Sequence, residues 1–529
     1  MLNLIESQWI PVRLRDGTQK RIAPWEIVDL AAGDAFNMPR PDFSGTILEF
    51  CIGLVQTCYA PESKRQWAVL HDKPPLPEVL HKVMQPVAKY FNMFGERPLF
   101  MQDFTLQPGD VKGTTEVAAL LIDSPGVQTQ KFNGDVFIKR GGVSQLCPAC
   151  AAMALFTLQT YAPSGGAGHR TSMRGGGPLT TLVLGDTPWH TVWRNVRPLE
   201  AGETPPTPDI MAGKVFPWAV PTKTSEKKGS EYLGDQAHPY HAYWAMPRRI
   251  LLHQEQTESP ESCSLCGSEA TTMVREYWTK NYGHNYSYWR HPLTPYRDQG
   301  TNEPLSIKGK SDGQGYNQWL GLLYGSKSTE KFPVEPSMNI VSFRSLAKRE
   351  GGRENIRAFG WDMDNMKPLL WCEAEYPMYA VAPEALPEFR DKVSMLLEVA
   401  DAVRRNLTGA LKKGLFKDGG RNAKWDQTLL ANATATFWAE TRSAFFHVVE
   451  QITAAGEIPE ALRWKWIEDL QNTSTGIFDR MADSGAFNVV HARQICEARK
   501  ELFNFNRAKA KKVFGLEESG SHKVKGGKE

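Results

Sequence analysis

The stretch LPEFRDKVSMLLEVADAVRRNLTGAL, residues 386–411, sets Leu386, Phe389, Val393, Leu396, Ala400, Val403, Leu407 and Leu411 at steps of three and four. Such steps return side chains to one face of an α-helix, which predicts a helix about seven turns long with an apolar stripe to bury. Three later segments repeat the pattern. One carries Phe437, Thr441, Phe445, Val448, Val449 and Ile452; the next carries Leu462, Trp466, Ile467 and Leu470 after Pro459; the last carries Val490, Ile495, Ala498, Leu502 and Phe505 and runs on into Val513. Four amphipathic segments joined by polar connections read as a four-helix bundle over residues 383–515. Residues 516–529 are rich in Gly, Ser and Lys, a composition that predicts a disordered tail.

Upstream of Pro383 the chain changes character. Short mixed segments are broken by Gly, Pro and aromatic residues, with short strands predicted at Thr180–Leu184 and Met338–Ser342. The fold class expected is α+β: a large mixed domain over 1–382, then the bundle. A chain of 529 residues exceeds what one hydrophobic core supports, which agrees with two or more domains. No apolar run approaches the roughly 20 residues that span a bilayer. The start Met1-Leu2-Asn3-Leu4-Ile5-Glu6 lacks the basic opening of a signal peptide, so a cytoplasmic protein with reduced thiols is expected.

Two pairs stand out among the eight cysteines, Cys147-Pro148-Ala149-Cys150 and Cys263-Ser264-Leu265-Cys266. Their spacing suits one tetrahedral Zn2+ shared between distant segments, and four thiolates would close the shell to water and make the metal structural. The alternative is two unrelated pairs of buried or redox-active thiols. Cys51, Cys58, Cys372 and Cys496 lack such partners and read as small core residues.

The catalytic inventory is sparse. There is no His-Glu-x-x-His, and Gly309-Lys310-Ser311 has Pro304 where a phosphate loop needs glycine, so it reads as a surface turn. Nothing specifies a nucleophile with its base. The net charge of +3 decides little, because binding to nucleic acid depends on where the cations cluster. Lys412, Lys413, Lys417, Arg421 and Lys424 form one such cluster, suited to tracking a nucleic-acid backbone without reading bases. A glycine-rich stretch, Pro163 to Arg170 and then Arg174 to Pro178, lets backbone approach a ligand closely, while His169, Arg170 and Arg174 offer charge to phosphate.

Several motifs occur in a telling order: Ile5-Glu6-Ser7-Gln8-Trp9-Ile10-Pro11-Val12, Arg97-Pro98-Leu99-Phe100-Met101-Gln102, the cysteine pairs, the glycine loop ending in Arg174-Gly175-Gly176, Thr180-Thr181, and Trp289-Arg290-His291-Pro292. Together they resemble the CasA family, the large subunit of the type I-E CRISPR surveillance complex Cascade, over essentially the whole chain. The resemblance implies a non-enzymatic subunit that reads the short motif (PAM) beside a target in double-stranded DNA, helps open the duplex and recruits a helicase-nuclease. Its other partners would be the remaining Cascade subunits and guide RNA, with no membrane.

Residue by residue, the family's minor-groove glycine loop matches Ser164, Gly165, Gly166, Ala167 and Gly168, with Ala167 replacing one glycine of the pattern. The family's minor-groove lysine, nine residues before the tryptophan, falls on Lys280. The wedge that enters the duplex falls on Asn365, in the turn Phe359–Met366, with Met363 or Met366 as its apolar neighbour; Asp362 and Asp364 depart from the pattern. The segment that docks near the guide's 5′ end matches Phe132 to Gly142, with Phe137 as anchor and Lys139 and Arg140 as RNA contacts. A metal-dependent nuclease or hydrolase, or a scaffold that does not read DNA, are the competing classes.

Overall fold

A computed structural model describes the chain except residues 1, 133–139, 167, 201–202, 301–302, 304, 311–314, 327–331, 347–352, 366, 416–426, 485–491 and 517–529. The chain divides into two compact units. The first comprises Met1–Ser311, Thr329–Lys348 and Glu354–Met378; the second comprises Asp312–Ser328, Arg349–Arg353 and Tyr379–Glu529. The predicted tail beyond Leu516 lies outside the described residues.

The first unit is built around two helices that lack a polar face, Pro41–Tyr59 and Pro148–Tyr161, both opened by proline at the first turn. They meet where the Thr46 and Thr157 hydroxyls lie 2.8 Å apart. Phe50 lies at the centre of an aromatic core, edge-on to Trp9, Phe91, Phe100, Phe156 and Trp244, an arrangement that matches ring edges to ring faces.

Twelve strands among the described residues form four three-stranded sheets. β1 (Ile10–Arg13), β2 (Gln19–Ile22) and β3 (Ala35–Phe36) pair in the order β2-β1-β3. β4 (Thr115–Glu116) flanks a long hairpin of β6 (Arg249–Ser262) and β7 (Glu269–Lys280), and β5 (Thr180–Val183) flanks a second long hairpin of β11 (Arg353–Asp364) and β12 (Lys367–Tyr379). Three two-residue strands, β8 (Tyr296–Arg297), β9 (Leu305–Ser306) and β10 (Val334–Glu335), complete the set.

Three local expectations are corrected. Met338–Leu346 is a helix rather than a strand. Ile340 and Phe343, three apart, face the core, while the Asn339 amide donates to Thr181 O (2.8 Å) and Asn195 Oδ1 (2.7 Å); these side-chain bonds outweigh the strand preference of Ile340 and Val341. Gly309 is buried rather than in a surface turn: its N–H donates to Gly177 O, and a Cβ there would lie 3.0 Å from the Trp361 carbonyl. Cys51 and Cys372 are core residues as read, but Cys496 is exposed.

The second unit contains four long helices, Leu386–Leu415, Gln427–Ala455, Glu460–Asp483 and Ala492–Phe514. The stripe that opens the sequence reading is buried from Phe389 to Leu411, with Leu386 half-buried. In the last helix Ala498 and Leu502 are buried, but Phe505 is 56% exposed and Asn506 faces inward instead, bonded to Asn406 and to the Ser474 hydroxyl. The buried row there steps by four, through Asn506 to Ala510 and Phe514. Tyr316, far upstream in sequence, stacks on Phe445 at 4.2 Å, and Trp319 packs against Phe389, Phe445 and Phe446. No described helix is long and apolar enough to cross a membrane.

Candidate nucleic-acid interface and metal centre

The β6–β7 hairpin runs in antiparallel register from Arg249 opposite Lys280 to Ser262 opposite Glu269, so Cys263 and Cys266 lie in its turn. Cys147 caps the helix Pro148–Tyr161 and Cys150 sits in its first turn. The turn and the helix start are laced together: Ser264 N–H donates to Gln145 O (3.0 Å), the Gln145 amide donates to Ser262 O (3.0 Å), and Leu146 and Val274 exchange a pair of backbone bonds at 2.9 Å. The four sulfurs thereby fall within 4.8 Å of one another, with Cys147 and Cys266 at 3.7 Å. Tetrahedral Zn–S bonds of about 2.3 Å put sulfurs about 3.8 Å apart, so the donor set fits that ion with little rearrangement. Hydrogen bonds from Cys147 and Cys150 pull the Cys263 thiol down to about 6 and hold Cys266 low, while contacts within the same cluster hold Cys147 and Cys150 high, so without a metal the four sulfurs share protons unequally. A cleft of about 440 Å³ lies beside the cluster, lined by Trp9, Lys20, Arg21, Cys150 and Cys266.

At the opposite end of this hairpin lies the glycine loop. His169 N–H donates to Gly166 O (2.8 Å), closing a turn in which Gly166 and Gly168 have φ of +71° and +86°, a region that glycine enters freely. Tyr282 N–H donates to Gly168 O (2.8 Å), and its ring lies where a Gly168 Cβ would stand, 2.7 Å away. Ser164, Gly165 and Gly166 are exposed, as is Lys280, two residues before Tyr282 at the end of β7. Loop and lysine therefore share one end of one hairpin. Ala167 lies outside the described residues. Arg170 bonds Ser225 through Nε and Nη2, both at 2.8 Å, and stacks toward the Tyr282 ring.

Arg174 is not available to phosphate, contrary to the sequence reading. It is buried, ion-paired to Glu49 at 3.0 Å and bonded to the Thr180 and Thr294 hydroxyls. Its pairing joins the two central helices to β5 and serves the fold.

Asn365 sits in the turn between β11 and β12, exposed, with φ of +45° and its amide donating to Asp364 Oδ1 (3.1 Å). The half of β11 nearest this turn packs closely on the second half of the glycine-rich stretch. A Cβ at Gly360 would lie 2.3 Å from Pro178 O, and one at Gly177 would lie 2.5 Å from Trp361 O and 3.1 Å from the Met363 side chain. Leu369 and Leu370, which the sequence reading passed over, are 59% and 54% exposed on β12. Met366 lies outside the described residues.

Of the docking segment, Phe137 and Lys139 lie outside the described residues, while Arg140 is exposed and donates to Gln130 O (2.7 Å). In the cationic cluster, Lys412 and Lys413 occupy the last turn of the first long helix, and Lys413 pairs with Glu501 at 2.6 Å. Lys417, Arg421 and Lys424 lie outside the described residues.

A family model described as CRISPR-associated protein Cse1 matches residues 3–477. The chain belongs to the Cse1 family. This is the Cascade large-subunit family that its motifs resemble. Thermobifida fusca Cse1 has the same fold, with a TM-score of 0.69 at 17% identity, covering 97% of this chain and 98% of that one. Thermus thermophilus CasA (Cse1) gives 0.68 at 16% identity, covering 96% and 100%. A chain of a CRISPR RNA-guided surveillance complex gives 0.68 at 16% identity, covering 95% and 99%. At such identities the structural likeness speaks for the fold, and the family model carries the membership.

Proposed function

We propose that this Cse1 chain is the motif-reading and duplex-opening subunit of a type I-E Cascade complex in the cytoplasm. The observation that carries the reading is the exposed glycine loop closed against Tyr282, with Lys280 two residues away on the same hairpin end. A backbone loop and one lysine suit the minor groove, whose donor and acceptor pattern is degenerate, and so suit a permissive motif. Guide RNA would read the rest of the target by base pairing. Asn365, at the tip of the β11–β12 hairpin, is the wedge; it would trade unstacking of roughly a few kcal/mol per step for a distorted duplex.

In the same reading the four cysteines hold a structural Zn2+. Phe137, Lys139 and Arg140 dock the subunit on guide RNA and its neighbours. Residues 383–515 act as a four-helix bundle whose cationic connection from Lys412 to Lys424 follows the displaced strand. The subunit performs no chemistry and hands the opened target to a helicase-nuclease.

The test is duplex binding by guide-loaded complex assembled with the wild-type chain, with Lys280→Ala or without the chain, on matched DNA carrying a permissive or a scrambled flanking motif. Wild type is expected to discriminate the motif and Lys280→Ala to lose affinity. Binding and discrimination unaffected by the chain would reject the reading, and DNA cleavage by the purified chain with a divalent metal would favour a nuclease.

A further inference from the structure

Four arginines are buried among the described residues: Arg174, Arg194, Arg248 and Arg249. Three of them meet a carboxylate, Glu49 at 3.0 Å, Glu354 at 2.7 Å and Asp103 at 2.6 Å respectively. Arg248, only 9% exposed, has no ion pair among the described residues. Its backbone is fixed by a reciprocal pair with the Gln159 side chain, at 2.9 and 3.0 Å. Its Nη2 donates to Pro163 O, at the start of the glycine loop, and its Nε has no hydrogen-bond partner among the described residues. Burial lowers its pKa to about 10, which still leaves it charged at neutral pH.

An uncompensated buried cation is costly, and leaving one in place makes physical sense where an anion arrives to complete it. The position of Arg248 supplies that anion's seat. Nη1 lies 2.7 Å from where a Gly165 Cβ would stand, so the guanidinium lies directly against the exposed Ser164–Gly166 backbone. The next residue, Arg249, is opposite Lys280 in the β6–β7 register, which brings a second cation to the same end of the hairpin. Nearby Arg170 is already engaged by Ser225.

We propose that Arg248 forms the floor of a phosphodiester site at the glycine loop, where its buried charge holds a backbone phosphate of the flanking DNA. The inference rests on the motif-reading function above and adds a division of roles: Lys280 and the loop read the motif, while Arg248 anchors the strand without regard to sequence, as phosphate contacts do.

The test measures the salt dependence of target binding by guide-loaded complex carrying wild-type chain, R248Q or R248K, on permissive and scrambled motifs. Glutamine keeps a donor for Pro163 O and removes the charge. Loss of one phosphate contact lowers the log–log salt slope by about 0.9, so over a fourfold rise in salt the wild type would lose about 3.5-fold more affinity than R248Q. The drop is expected to be equal on both motifs, with R248K keeping the wild-type slope. A wild-type slope in R248Q, whatever its affinity, would overturn the site and reduce Arg248 to a support for the loop. If R248Q does not assemble, R248M makes the same charge comparison. Failure of the reading itself looks different, because the wild-type chain would then add neither affinity nor motif discrimination.

Discussion

The two long hairpins of the first unit are anchored differently along their length. In β6–β7 the Gln145 and Ser264 bonds fasten the turn to a helix start beside four clustered sulfurs, and the far end, where Arg249 to Leu252 are buried, carries the exposed Lys280. β11–β12 is held in the half of β11 nearest its turn, where Gly177 and Gly360 let backbone pack on backbone, and the turn just beyond carries Asn365 outward. Each hairpin extends well beyond its short third strand, β4 or β5, and a two-stranded ribbon is marginally stable in water, so further packing matters to both. In both, the exposed candidate residue, Lys280 or Asn365, rises from a part of the hairpin that packing holds in place.

Breaking the clamp of β6–β7 is expected to have the largest effect. Metal binding to such a site is folding energy, and Cys263→Ser or a strong chelator should cost several kcal/mol. The check is melting of the purified chain together with its metal content, and an unchanged melting temperature with no metal in the untreated protein would remove the staple.

Acid should loosen the Lys280 end of the same hairpin next. Burial pushes His241 down to about 3 and His284 to about 4, from 6.5. Their folded pKa values are depressed, so the stability they permit is full above pH 6.5 and is lost as pH falls toward 4. The loss at pH 4 is roughly 3 kcal/mol for His284. Hydrogen exchange should rise around residues 280–286 before it rises around 360–368, and His284→Gln should flatten the difference.

Two glycines sharpen the contrast on a smaller scale. Gly360→Ala sets a Cβ against the Pro178 carbonyl and should cost about 1–3 kcal/mol. Gly267→Ala, in the β6–β7 turn, meets no atom within 4 Å and bears only the left-handed backbone penalty at φ +69°, about 1–2 kcal/mol. Denaturant titration of both variants ranks them, and a reversed order would mean that the close packing at Gly360 is not the clamp of β11–β12.

The smallest effect on stability is expected at the other tip. Asn365→Gly relieves φ of +45° in a residue type that tolerates it, so stability should move by less than about 1 kcal/mol. Opening of the target duplex, followed by a fluorescent base beside the motif, should fall nonetheless. Unimpaired opening would move the wedge elsewhere, and the exposed Leu369 and Leu370 would be the next residues to test.

What could be read ahead of the fold was what repeats or pairs locally. The stripes from Phe389 to Leu411 and from Phe437 to Ile452 are buried, because each helix's own period sets its buried face. The reading slipped where that face is shared: a step of three from Leu502 points to Phe505, but the core receives Asn506, whose partners come from two other helices. The proximity of the cysteine pairs was legible from spacing alone. The places of Arg174 and Arg248 were not, because Arg174 stands beside glycines in the sequence yet the fold pairs it with Glu49, whereas Arg248, between Pro247 and Arg249, reaches the glycine loop only through the fold. The Met338 helix was missed because its decisive bonds run to Thr181 and Asn195.

The aromatic segment that joins the helices from far upstream also has a consequence for synthesis. Tyr316, Trp319 and Tyr324 leave the ribosome well before Phe389, and longer still before Phe445 and Trp466, the rings that eventually cover them. At about 5–20 residues per second this wait is on the order of ten seconds. During that time the nascent chain carries an apolar cluster with no native surface to receive it, so the second unit can close only after most of its own helices have emerged.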